Sequence, residues 1–121
     1  MAIVYALAAD LFFAERLERA LRELGHAPRV VDLSTGGEGL AGQEIPPEGA
    51  GLAIVDLEAG EAALAQIQAA RQRGIPVLAF GPHVDVEARR AAEAAGARVV
   101  TKAQLTRSFA ELVGALVGPS A

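Results

Sequence analysis

Gly51-Leu52-Ala53-Ile54-Val55-Asp56 decides how the rest of the chain is read. Four apolar residues run without alternation into one carboxylate. Such a run suits a strand buried on both faces, as in a parallel sheet. A charge inside that strand would be costly, so Asp56 marks the point where the strand emerges. In open α/β sheets the carboxyl ends of the strands are where ligands and chemistry collect.

Outward from this strand, the same signal recurs. Ala2 to Ala8 is a second non-alternating apolar run, followed by Asp10. Leu17, Ala20, Leu21 and Leu24 then recur at helical spacing opposite a charged face, with Asp10 as N-cap and Gly25 as C-terminal stop. Glu15/Arg19 and Glu18/Arg22 are spaced for i,i+4 ion pairs. Pro28 to Leu33 is expected to be a strand. Between Ser34 and Ala50, five glycines and two prolines break the chain, so the second helix is expected to be short or missing, at most around Glu38 to Ala41. After Asp56 the spacing predicts a helix over Gly60–Arg73, a strand over Ile75–Phe80, and a helix from an Asp85 cap to Ala95. A strand over Arg98–Thr101 and one last helix over Gln104–Val117 complete the series. The helix before Ala95 is apolar only through Ala88, Ala91, Ala92 and Ala95, which bury little area, so it is expected to be weakly held.

Five strands alternating with helices imply one α/β domain over residues 1–121 with a parallel sheet covered on both faces. Asp10, Asp56, Gly81 to His83 and Lys102 all follow strand ends, and are therefore expected to gather at the carboxyl edge. Lys102 is the only lysine in the chain.

Composition narrows the function. The 121 residues are 52% hydrophobic but 4% aromatic, so the core is aliphatic. The net charge of −4 is spread without a basic stripe, which argues against nucleic acid as a partner. The absence of cysteine excludes disulfides and thiolate metal sites, and two histidines leave little for zinc. No apolar run reaches the roughly 18 residues of a membrane helix, and the opening Met-Ala-Ile-Val-Tyr lacks the basic region of a signal peptide. A cytoplasmic protein is the expectation. Gly37 to Gly42 spells GxGxxG, but it follows the second strand and runs into Pro46 and Pro47, so it is expected to be a loop and not a nucleotide site.

Over its whole length the chain resembles the receiver domain of two-component response regulators, in a degenerate form. Asp56 matches the phosphoacceptor and Lys102 the lysine that contacts the phosphoryl group. The resemblance implies a flavodoxin-like, doubly wound five-stranded sheet in the order 2-1-3-4-5. Other positions depart from the pattern. The acidic pair that holds magnesium falls on Ala8 and Ala9, with Asp10 one place later. The hydroxyl residue ending strand four is Gly81, the switch aromatic is Val99, and the proline after the lysine is Ala103. Asp56 with a displaced Asp10 makes a poor magnesium cage, so no cofactor is expected and no metal ligands are assigned.

The resemblance therefore implies a stand-alone pseudo-receiver: a signalling module, not an enzyme, that acts by protein–protein contact with phosphorylation weak or absent. Its partner is an unidentified protein, a homodimer is compatible with it, and the expected contact surface is the helix before Ala95, strand five and the last helix. With the tail ending at Gly118–Ala121, output is expected to pass through that partner. Two alternatives stand beside it. One is a phosphorylatable receiver that uses Asp56 with magnesium. The other is a small ligand-binding domain or enzyme at the carboxyl edge, with His83 lining the site as acid or base. Plainer roles exist for each residue: Asp56 bonded to Lys102 or to loop amides, Asp10 as helix cap, His83 in a solvated loop, and His26 beside a helix C-terminus.

Overall fold

Strand β1 (Ile3–Ala8) sits near the middle of the sheet because its apolar side chains need cover on both faces. A computed structural model describes residues 2–32, 49–81 and 86–117 of the chain. Around β1 stand β2 (Ala27–Asp32), β3 (Leu52–Asp56), β4 (Val77–Gly81) and β5 (Arg98–Thr101), all parallel, in the order β2-β1-β3-β4-β5. Five helices are described: α1 (Leu11–Glu23), α2 (Glu61–Gln72), α3 (Val86–Ala94), α4 (Lys102–Arg107) and α5 (Phe109–Leu116). The expectation of a short or missing second helix and the GxGxxG segment both lie outside the described residues.

Successive strand residues point to opposite faces, so the sheet divides its core in two. Val4, Ala6, Ala8, Ile54, Leu78 and Phe80 face α1, α4 and α5, where Phe13, Leu17, Leu21, Leu105 and Val113 fill the layer. Tyr5, Leu7, Ala53, Val55, Val77 and Ala79 face α2 and α3, where Ala63, Ile67, Ala70 and Ala92 do so. The second layer is largely alanine, and Ala92 is the only buried side chain of α3. Leu24, expected inside, is 39% exposed, because α1 has ended by then and its buried face runs through Phe13, Ala14, Leu17 and Leu21.

The turns from α1, α2 and α3 into the following strands share one device. Gly25, Gly74 and Gly96 have φ of 85°, 74° and 101°, a region other residues avoid. The next residue's N–H then reaches back to the helix: His26 to the Leu21 carbonyl, Ile75 to Ala70, Ala97 to Ala92. Because the Ile75 N–H is spent on this cap and Pro76 has none, β4 begins at Val77 instead of Ile75.

The last helix is not continuous as expected. Thr101 and Gln104 form a reciprocal capping box, with the Gln104 N–H donating to Thr101 Oγ1 at 3.1 Å and the Thr101 N–H to Gln104 Oε1 at 2.8 Å. This starts α4 at Lys102, and Ser108, at φ −120° and ψ 29°, separates it from α5. Serine hydrogen-bonds readily to nearby backbone and holds a helix interior weakly. Of the two ion pairs expected on α1, Arg22–Glu18 forms at 3.6 Å and Glu15–Arg19 does not; exposed pairs of this kind gain little from closing.

Candidate functional site

Parallel strands deliver their ends to one rim, and register decides which residues meet there. Val55 pairs with Leu7 and Ala79, and Asp56 with Phe80, so Asp56 ends its strand beside Ala8 and Ala9 on one side and Gly81 on the other. Asp56 is buried, with no exposed surface. Both of its oxygens are taken. Oδ2 accepts the Ala9 N–H at 2.9 Å, and Oδ1 accepts the Glu58 N–H at 3.0 Å, closing the 3₁₀ turn Leu57–Ala59. One carboxylate thus ties the β1–α1 connection to the β3–α2 connection. Burial pushes the Asp56 carboxyl above the usual carboxylate range. The two amide bonds oppose that rise, the Glu58 charge adds to it, and the charge of Lys102 draws it back least.

Asp10 is also at this edge, one connection away. Its Oδ1 accepts the Phe13 N–H at 2.8 Å and caps α1. Its Oδ2 meets Lys102 Nζ at 3.5 Å. The Phe13 amide is the main reason its carboxyl falls below the usual range; partial burial opposes this, and the Lys102 charge helps. Lys102 Nζ also stands 4.5 Å from the centre of the Phe13 ring, which in turn rests on Phe80 at 5.0 Å.

The expectation that Asp56 and Lys102 pair directly is therefore corrected. They share the edge and feel one another's charge, but the ion pair of Lys102 is with Asp10. The physical reason is access: Asp56 lies beneath the surface with a backbone N–H on each oxygen, while the partly exposed Asp10 keeps Oδ2 for the flexible lysine. Gly81 ends β4 and is buried. A Cβ there would stand 3.1 Å from Leu57 Cβ, so Leu57 fills the space a larger residue would need. His83 lies outside the described residues.

Four participants were not named by the sequence reading: the Ala9 and Glu58 amides, Leu57 and Phe13. A signal existed for the Glu58 amide. An Asp at the start of a turn accepts from the N–H two residues on, an Asx turn, and Asp56-Leu57-Glu58 has that spacing. The other three depend on how connections fold back, which local pattern does not carry.

Neither Asp56 oxygen is open to solvent in this arrangement. The receiver fold implies magnesium, yet the donor set does not fit it. Residues 8 and 9 are alanines, Asp10 is divided between a helix cap and an ammonium, and Asp56 faces amides. Among the described residues no three His, Cys, Asp or Glu side chains gather as a metal cluster.

The sheet order and the two-sided helical cover define the flavodoxin-like fold of receiver domains. Solved structures with this fold resemble the chain over nearly all its length. The receiver domain of the Francisella response regulator 1452 superposes with a TM-score of 0.68 at 15% identity, covering 96% of both chains. A response regulator receiver protein from Burkholderia phymatum gives 0.62 at 24% identity, covering 98% of this chain and 99% of that one. The pilus assembly protein CpaE from Caulobacter crescentus gives 0.61 at 21% identity, covering 98% and 95%. No family model matches the chain, and no curated protein matches it in sequence.

Proposed function

We propose that this chain is a cytoplasmic signalling module that works through contact with a partner protein, and that Asp56 is a structural clamp instead of a phosphoacceptor. The observation that carries this reading is the state of Asp56: no exposed surface, and an amide donor on each oxygen. Phosphoryl transfer is catalysed by positioning and by charge that stabilises the transferring group. Here the metal carboxylates are replaced by alanine, the hydroxyl position is Gly81, and Lys102 is engaged with Asp10. Each of these weakens phosphoryl chemistry, while none disturbs the fold. Among the described residues no helix is long and apolar enough to cross a membrane.

The test is a magnesium titration followed by amide NMR, then addition of beryllofluoride as a phosphoryl mimic. The reading expects no saturable shift at Ala9, Asp56, Glu58 or Lys102. Saturable shifts at these amides, enlarged by beryllofluoride, would restore the phosphorylatable receiver. Asp56→Asn, folded under the same conditions, is expected to leave partner binding unchanged.

A further inference from the structure

Beyond the Asp10–Lys102 pair the carboxyl edge continues into a groove between α1 and the α4–α5 pair. It has two parts. A small dip of about 100 Å³ is floored by Phe13, Leu17, Ala20, Leu105 and Phe109. A wider and shallower part of about 490 Å³ is bordered by Phe13, Arg16, Lys102, Ala103, Thr106 and Arg107. Phe13, Arg16 and Thr106 belong to both, so the apolar dip opens directly onto the wider part.

The wider part is cationic: among the described residues its border holds Arg16, Lys102 and Arg107 and no carboxylate. Asp10 neutralises Lys102. Arg16 and Arg107 are exposed, and among the described residues neither takes part in an ion pair; the Arg16 guanidinium stands 5.9 Å from the Phe13 ring centre. This local excess of positive charge sits on a chain whose net charge is −4. Phe12, 78% exposed, lies four residues before Arg16 and so on the same stripe of α1. Leu11 beside it is 47% exposed. Of the surface expected from the sequence, which comprised α3, β5 and the last helix, the last helix borders this groove, and α3 exposes one large apolar side chain among the described residues, Val86.

We infer that this groove docks an acidic segment of the partner protein, one aliphatic side chain entering the dip and flanking carboxylates meeting Arg16 and Arg107. The inference rests on the proposed reading that the chain works by protein contact, and it names the chemistry of that contact. Other occupants fit less well. The wider part is too shallow to enclose a small ligand. Two free guanidinium groups do not make the basic stripe a nucleic acid requires. A second copy that docked through its own α1 would offer Glu15, Glu18 and Glu23 interleaved with Arg19 and Arg22, and self-association through any other face is an outcome of the test below.

The experiment titrates the isotope-labelled full chain with a short synthetic peptide, a central Leu flanked by Glu, at low salt and without magnesium. Saturable amide shifts confined to Leu11–Ala20 and Lys102–Phe109, weakening as salt is raised, are expected. The Arg16→Glu/Arg107→Glu pair should weaken binding about tenfold or more, and a peptide with Lys in place of Glu should regain it. The milder Arg16→Gln/Arg107→Gln pair repeats the measurement should the charge reversal perturb the spectrum of the free chain. No saturable shift, equal binding of the Lys peptide to the unaltered chain, or indifference to both arginine pairs would overturn the assignment. Shifts of the same amides with protein concentration alone would give the groove to a second copy and also overturn it. The titration is then repeated with magnesium and phosphoramidate. Binding that appears only then keeps the groove and sinks the phosphorylation-independent reading; no binding in either condition sinks the groove alone.

Discussion

Asp56 and Asp10 leave adjacent strands at the same edge, yet Asp56 has no exposed surface and the Asp10 side chain is 45% exposed. Both accept a hydrogen bond from the backbone. Among the described residues only backbone N–H groups bond Asp56, and burial raises its carboxyl; Asp10 keeps an oxygen for Lys102, and its carboxyl is lowered. The same side chain thus serves as a clamp below the surface and as a cap upon it. Proximity to the sheet edge does not decide the role. What decides it is whether the neighbouring connections turn their amides onto the carboxylate or leave it to solvent.

The sharpest way to break this comparison is Asp56→Ala. Two part-buried amide donors, from Ala9 and Glu58, would lose their acceptor. A buried donor left unpaired costs about 1–3 kcal/mol, so a loss of about 2–4 kcal/mol in urea unfolding is expected. A loss no larger than that of an exposed substitution would show that Asp56 is not a clamp.

Next in size is Gly81→Ser, which returns a hydroxyl residue to the end of β4. Its Cβ would press on Leu57 Cβ at 3.1 Å. Overpacking a filled interior costs about 1–3 kcal/mol, and the lower half of that range fits a single tight contact with a residue at the start of a turn. Adding Leu57→Ala should recover most of the stability of Gly81→Ser. If the serine is accommodated without loss, the space beside Asp56 is open, and the closed description of this edge fails.

Most of the fold was legible in the residues. Runs such as Ile3–Ala8 and Leu52–Asp56 announce strands covered on both faces, and Gly25, Gly74 and Gly96 announce where helices stop. Those signals are local and nearly independent of the rest of the chain. The site was legible only as a gathering. Sequence order places Asp10, Asp56, Gly81 and Lys102 on one rim because parallel strands share a direction. It does not say which oxygen meets which donor. Lys102 has two carboxylates within reach of its charge, and it pairs with the partly exposed one, Asp10, not with the buried Asp56. The break at Ser108 was missed for a related reason. The apolar spacing of Leu105, Phe109, Leu112 and Leu116 is helical throughout, and the departure is confined to one residue, Ser108, whose φ and ψ both leave the helical range.

The smallest expected effect separates the cap from the ion pair at Asp10. Asp10→Ala removes the acceptor for the Phe13 N–H and should cost about 1 kcal/mol, the usual worth of an N-cap. Asp10→Asn keeps an equally good cap and removes only the attraction to Lys102. For so exposed a pair the cost is about 0.5 kcal/mol or less, and it should fade as salt is raised. Acid unfolding then distinguishes the two carboxylates by sign. Asp10 binds its proton less tightly folded than unfolded, so the stability it supplies is full above its ordinary value of 3.8 and is lost as pH falls below that through its lowered value. Asp56 binds its proton more tightly folded, so its contribution is greatest below 3.8 and declines as pH rises through its raised value. Unfolding free energies measured across this range should therefore show the unaltered chain gaining on Asp10→Asn with rising pH and losing ground to Asp56→Asn. Parallel curves for the two variants would mean that the buried and the exposed carboxylate titrate alike, and the contrast between clamp and cap would have no electrostatic content.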